Sequence, residues 1–341
     1  MSFRRRLLGI LVVVGAAQVS NSFAAEAPFR LPTANPALFQ PGDEERFFVG
    51  TVGKPWTSGT FGCVRSDGWQ MHEGLDIRCL QRDSRGEPAD PVMATADGTV
   101  AYVNKRPALS NYGNHVILRH GVDGVEVYSV YAHLSAIQSN VVPGQKVKAG
   151  EVIGTMGRTA NTRQGISKDR AHLHFELNLL LNDRFAAWHK KNALTERNDH
   201  GDWNGHNLVG IDPRAVLLAQ RTQGARFNLA SFLRTQPELC RVFVRSTGFP
   251  YLKRSPALIT GNPRAEKEGL VGYEVALNFN GLPFQLIPRA ASEIKATTRM
   301  QLLSVNEAEK ARNPCGRFVT QRNGRWELTH TGTQRMELLI F

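Results

Sequence analysis

His172-Leu173-His174-Phe175-Glu176 is the stretch on which the fold turns. Polar and apolar residues alternate through it. An extended backbone therefore puts His172, His174 and Glu176 on one face and Leu173 and Phe175 on the other, packed inward. His72-Glu73-Gly74-Leu75-Asp76 has the same parity. Gly74 disfavours a helix there, and in an extended segment residues 72, 74 and 76 share a side while Glu73 points away. Tyr131-Ala132-His133-Leu134-Ser135 closes another apolar run and supplies a third histidine-bearing segment.

Outward from these stretches, residues 46–181 read as short strands separated by turns. Gly98–Val103, His115–His120 and Val125–Tyr131 alternate, and Asp97-Gly98, Asp123-Gly124 and Pro143-Gly144 punctuate them. That pattern predicts a mostly antiparallel sheet. A polar stretch at 182–207 carries Trp188, Trp203 and three histidines, with a short helix expected over Asp183–Lys191. A closing helix is expected over Ile211–Leu218, with Asp212 as N-cap and Pro213 at the first helical position. Beyond about residue 222 the character changes: Arg241–Val244, Tyr273–Leu277 and Trp326–Leu328 read as further strands. The chain is thus expected to be mostly β. Its divisions are a leader at 1–24, an extended lead-in at 25–45, a site-bearing unit at 46–221 and a second, β-rich unit at 222–341.

The leader is legible as such. Arg4, Arg5 and Arg6 precede the apolar run Leu7–Ala17, and Ser22-Phe23-Ala24 offers small residues for cleavage after Ala24. This is the order of a secretory signal peptide, and the run is short of the ~20 residues that span a bilayer. Export to the periplasm or the medium is expected. Removing the leader takes away three arginines and no acid, so the formal charge of +12 falls to +9. A basic exported protein suits an anionic partner. Nucleic acid is not expected, because no basic helix, aromatic-basic motif or zinc-finger spacing is present. Four cysteines remain, an even number that favours disulfides in an exported chain. Cys63–Cys79 and Cys240–Cys315 are the expected pairs, each lying within one unit.

A catalytic zinc site takes three protein ligands, His nitrogens and Asp or Glu oxygens, and leaves a fourth position to water. Two histidines and one aspartate fit that count, and further histidines nearby suit proton transfer or oxyanion stabilisation. His115 and His120, inside a strand, are read as structural, and His189, His200 and His206 as loop residues. Glu176 shares the face of His172 and His174 and is placed to orient a ligand.

The run from about Trp69 to Leu179 resembles the catalytic domain of the lysostaphin/LytM zinc endopeptidases, with its motifs in the family's order. They are His72-Glu-Gly-Leu-Asp76, Pro91-Val-Met-Ala-Thr-Ala-Asp-Gly98, Tyr112-Gly-Asn-His-Val116, Tyr131-Ala-His-Leu-Ser135, Pro143-Gly-Gln-Lys-Val147 with Gly150-Glu-Val-Ile-Gly154, and His172-Leu-His-Phe-Glu176. The resemblance implies an antiparallel LytM-type domain with one zinc ion held by His72, Asp76 and His174. It implies His133 and His172 as the catalytic pair and peptidoglycan peptides as substrate. The same fold also serves as a non-catalytic activator or wall-binding module, and a broader protease of Gly-rich proteins would share the site. Two departures from the pattern, an insertion at 158–171 and a long segment at 182–207, are expected to shape the cleft, with Trp188 and Trp203 as contact candidates.

Overall fold

A computed structural model describes residues 27–162, 165–192, 195–295 and 298–341. The expected signal peptide, 1–24, lies outside the described residues. The site-bearing part carries twelve strands: Gly62–Arg65 (β1), Gln70–His72 (β2), Leu75–Arg78 (β3), Pro91–Met93 (β4), Gly98–Asn104 (β5), His115–Val122 (β6), Val125–Ala132 (β7), Ala136–Ile137 (β8), Lys146–Val147 (β9), Val152–Thr155 (β10), His172–Leu180 (β11) and Leu208–Ile211 (β12). The main sheet runs β12-β11-β7-β6-β5-β9, and all its described pairings are antiparallel. One edge of β11 pairs with β7, while the other is shared end to end by β3 and β12. Register sets His174 opposite Asp76 on one side and Ala132 on the other.

β11 is buried along its whole length because both faces are covered. Leu173, Phe175, Leu177 and Leu179 enter the main core with Leu75, Ile77, Val116, Leu118 and Tyr131. Its polar residues occupy the opposite face. The lead-in is folded down as well: Phe29 is 2% exposed and exchanges hydrogen bonds with the Gln220 side chain (2.8 and 2.6 Å). Helix Pro213–Gln223 starts where expected, with the Asp212 carboxylate accepting from Arg214 N.

Further along, Cys240–Val244 (β13), Leu270–Leu277 (β14), Pro283–Ala290 (β15) and Met300–Val305 (β16) form a second antiparallel sheet in the order β15-β14-β13-β16. Its core residues, Val242, Val275 and Leu286 among them, belong to the same apolar cluster as Phe175 and Leu217. Asn182 Nδ2 donates to Leu338 O (2.9 Å) and Asn280 Nδ2 to Gly210 O (2.8 Å) across that junction.

The expected disulfides are not the ones formed. Cys63 in β1 is bonded to Cys315, with Cα atoms 5.4 Å apart, and Cys79 and Cys240 are buried free thiols. Cys79 instead donates to the Asp90 carboxylate (3.1 Å), and Cys240 is fully buried in the second sheet. The expectation assumed that each unit closes its own bridge. Packing of the last segment onto the β1–β2 hairpin made the longer connection the available one.

Candidate metal centre

β3, β7 and β11 deliver the polar groups, and β2 adds one from the side. His72 ends β2, the chain turns at Gly74, and Asp76 lies in β3 beside His174 of β11. A side chain at Gly74 is excluded, since a Cβ there would lie 2.3 Å from Phe175 O. His133 follows β7 with φ +64°, a left-handed conformation that is strained for a side-chain-bearing residue. Its ring packs edge-on to His172, centroids 4.9 Å apart.

His72 Nε2, Asp76 Oδ1 and His174 Nδ1 converge: their separations are 3.1, 3.0 and 3.1 Å. Zinc bonds of 2.0–2.1 Å at tetrahedral angles set donors about 3.3 Å apart, so the trio spans one face of such a polyhedron. Tautomers fit as well. His72 Nδ1–H donates to Thr60 O (2.8 Å), and His174 Nε2–H donates to Glu176 Oε1 (2.8 Å). Each ring's other nitrogen therefore turns its lone pair to the common point. Glu176 is itself fixed by Tyr112 Oη–H (2.6 Å) and Asn178 Nδ2 (2.8 Å). Among the described residues, His72, Asp76 and His174 are the group able to hold a metal ion. Two imidazole nitrogens and one carboxylate oxygen are donors that zinc accepts.

Burial pushes the Asp76 carboxyl up, but when the surrounding imidazoles are protonated the charges of His72 and His172 and hydrogen bonds from His172 and His174 outweigh it and hold the group well below its ordinary range. Arg65 Nη2 grips the other carboxylate oxygen at 2.6 Å. Burial, with the neighbouring His172 and His174 rings, pushes His133 well below its usual value. Both flanking rings have Nδ1–H on a backbone carbonyl, His133 on Thr159 O (2.9 Å) and His172 on Arg170 O (2.6 Å). In the neutral rings Nε2 of each is left as the acceptor; that of His172 lies 3.4 Å from Asp76 Oδ1, to which it can donate only when protonated.

These groups open onto a cleft of about 610 Å³. A larger cavity, about 850 Å³, lies around Gly98, Arg119 and Lys148 and shares none of the site residues, so chemistry rather than size selects the site. A neighbouring groove of about 630 Å³ shares Gln70, Met71, Glu73 and Tyr112 with the cleft, and Phe279, Asn280 and Arg317 of the second unit wall it.

A model of peptidase family M23 matches residues 70–185. The chain carries a peptidase family M23 domain. Over 108 residues, 32% of this chain and 14% of the relative, the domain is 35% identical to cell division protein DipM of Caulobacter vibrioides. It is 35% identical over 32% of the chain to the DD-carboxypeptidase/endopeptidase Mpg of Neisseria meningitidis, of which it covers 20%. Over 31% of the chain it is 41% identical to the murein hydrolase activator NlpD of Escherichia coli, covering 22% of that protein. The chain thus spans about a fifth or less of the length of these curated relatives. The lysostaphin catalytic domain of Staphylococcus simulans aligns over 35% of this chain and 74% of its own, at 29% identity and a TM-score of 0.25.

Within the M23 domain, the structure brings together all five sequence-predicted site residues. The remaining histidines stay apart. His115 and His120 are buried and bonded to Gly113 O and Asp97 O, and His206 is exposed on a loop. Glu73 is exposed yet lines the cleft. Neither tryptophan does: Trp188 is 4% exposed against Phe185, and Trp203 packs on Tyr102 and Tyr128. Arg65, Tyr112 and Arg170 were not singled out from the sequence. Arg65 reaches Asp76 through a register shift between Cys63 and Arg65, which nothing in the β1 sequence announces.

Proposed function

We propose that this chain is an exported zinc endopeptidase that hydrolyses peptide cross-links of peptidoglycan. His72, Asp76 and His174 hold the ion, and His133 and His172 handle the proton. The convergence of His72 Nε2, Asp76 Oδ1 and His174 Nδ1 on one point, with two further imidazoles beside it, carries this reading. Bound zinc supplies Lewis-acid activation of water and of the scissile carbonyl. Asp76 is fixed for its role by Arg65, and His174 by the Glu176–Tyr112–Asn178 network. His133, held neutral, accepts a proton at Nε2 and passes it to the departing amine, while His172, in the form protonated at Nε2 as well as Nδ1, donates to the developing oxyanion. No covalent bond to the protein is needed.

The wall substrate rests on the relatives' names, Mpg as an endopeptidase and NlpD as a murein hydrolase activator. Export rests on the leader pattern, on the Cys63–Cys315 bond, which suits an oxidising compartment, and on the basic mature chain. Among the described residues, no helix is long and apolar enough to cross a membrane. The division at about residue 222 into a catalytic unit and a β-rich accessory unit is part of the same reading.

Digestion of purified peptidoglycan with and without a chelator, with mass spectrometry of the products, tests it. Cross-linked muropeptides should disappear only when metal is present. The likeness to NlpD favours a second reading, an activator of other wall hydrolases. Unchanged muropeptides in both samples, with stimulation of an added murein hydrolase, would establish that reading instead.

A further inference from the structure

The described parts of the insertion at 158–171 are held down at both ends. Arg158 forms a two-pronged pair with Glu87 (2.8 and 3.0 Å), Lys168 Nζ adds a third contact to that carboxylate (3.3 Å), and Arg82 Nη1 donates to Lys168 O (2.9 Å). The turn Lys168–Arg170 is thereby fixed, and it ends by placing Arg170 in the wall of the metal cleft. Arg170 Nε donates to Gly50 O (3.1 Å), which anchors the half-buried guanidinium edgewise. Among the described residues no carboxylate pairs with Arg170. The other charges lining the cleft are Asp76, Arg65 and Glu73. Arg65 is committed to Asp76 and Ser58 O, and Asp76 to Arg65 and the histidines, while Glu73 is exposed. Arg170 thus presents a charged, planar donor fork toward the space where substrate must lie. Two positions separate it from His172, at most about 7 Å of chain.

A guanidinium held by Nε, with neither Nη group bonded among the described residues, matches a carboxylate in two parallel hydrogen bonds. We propose that Arg170 is a specificity residue that recognises a free carboxylate on the substrate peptide beside the scissile bond; this rests on the hydrolase reading above. The carboxylate comes either from a side chain or from the end of the peptide.

The test uses the zinc-loaded protein and three forms of one cross-linked muropeptide dimer: unmodified, side-chain carboxamide and C-terminal carboxamide. Values of kcat/KM are compared for wild type, Arg170→Gln and Arg170→Lys. One amide should lower kcat/KM by about tenfold or more in wild type, mainly through KM, and thereby identify the carboxylate. Arg170→Gln should reduce that ratio to about one, with Arg170→Lys between. Any general loss of activity cancels from the ratio. Equal treatment of all forms by wild type, or an undiminished ratio in Arg170→Gln, overturns the proposal. Calorimetric binding of the same dimers to His133→Ala protein, with and without Arg170→Gln, separates the two readings. If nothing is cleaved but carboxylate-dependent binding vanishes with Arg170, the recognition stands and the hydrolase falls. If nothing is cleaved and binding ignores the carboxylate, both fall.

Discussion

At Gly74 a single missing methyl decides whether the site can exist. The turn between His72 and Asp76 passes so close to β11 that a Cβ would meet Phe175 O at 2.3 Å. Backbone cannot yield there without breaking the β3–β11 register that sets Asp76 opposite His174. Gly74→Ala should therefore cost about 2 kcal/mol or more in denaturant unfolding and lower zinc affinity with it. The five polar residues should divide cleanly by role. His174→Ala should lose stoichiometric metal by elemental analysis, whereas His133→Ala should retain it while kcat falls by about 10²–10⁴. Glu176→Gln removes the charge and turns one of the two accepting oxygens into a donor, so His174, Tyr112 and Asn178 can no longer all be accepted. It should weaken zinc binding by about 10–100-fold in a chelator competition. Parity along β11 made this much legible in the sequence, because a strand's two faces follow from counting by two. The hand of Arg65 on Asp76 was not legible, since it depends on a bulge.

The strands carry the site, and the described parts of the segment at 158–171 border it. Strand assignments from alternation and turn residues agree with β5, β6 and β7 almost to the residue, because each has one apolar face and a glycine-containing turn. The loops were less legible: Trp188 and Trp203 face apolar neighbours rather than the cleft, and composition cannot say toward which side a loop folds. Glu87 is the pin of the 158–171 loop. Hydrogen bonding from Arg158, and then Lys168, outweighs partial desolvation and holds its carboxyl down to about 2. A depressed folded-state value means the pin is intact above the ordinary carboxyl range and is lost as pH falls toward 2. Amide exchange at 158–171 should be slower in wild type than in Glu87→Gln near neutral pH, and the two should converge only as pH falls from about 4.5 toward 2. Equal exchange at pH 6 would show that the pin does not order the loop.

Over the whole molecule, the two sheets share one apolar core and a groove that runs from the metal cleft onto the second unit. The Cys63–Cys315 bond ties that unit to the hairpin carrying Arg65 and His72. Cys315→Ser should lower stability by about 2–4 kcal/mol and weaken zinc binding, because the hairpin loses its tether. Burial pushes the Cys79 thiol up, helped by Asp90, to about 11, and burial pushes Cys240 up to about 12. A thiol reagent at pH 8 should find no reactive cysteine in the folded protein and two after denaturation without reductant. Four reactive thiols after denaturation would mean that the bond is absent.

By itself the sequence determined which segments are strands, which face of each is polar, and which five residues could meet around a metal. Those properties follow from short-range periodicity and from side-chain chemistry that neighbours along the chain already express. Only the tertiary structure decided the Cys63–Cys315 pairing, the approach of Arg65 and Arg170 to the cleft, and the contribution of the second unit to the groove. Each of these joins residues whose proximity is set by how sheets and loops pack, and no local pattern in the chain records that.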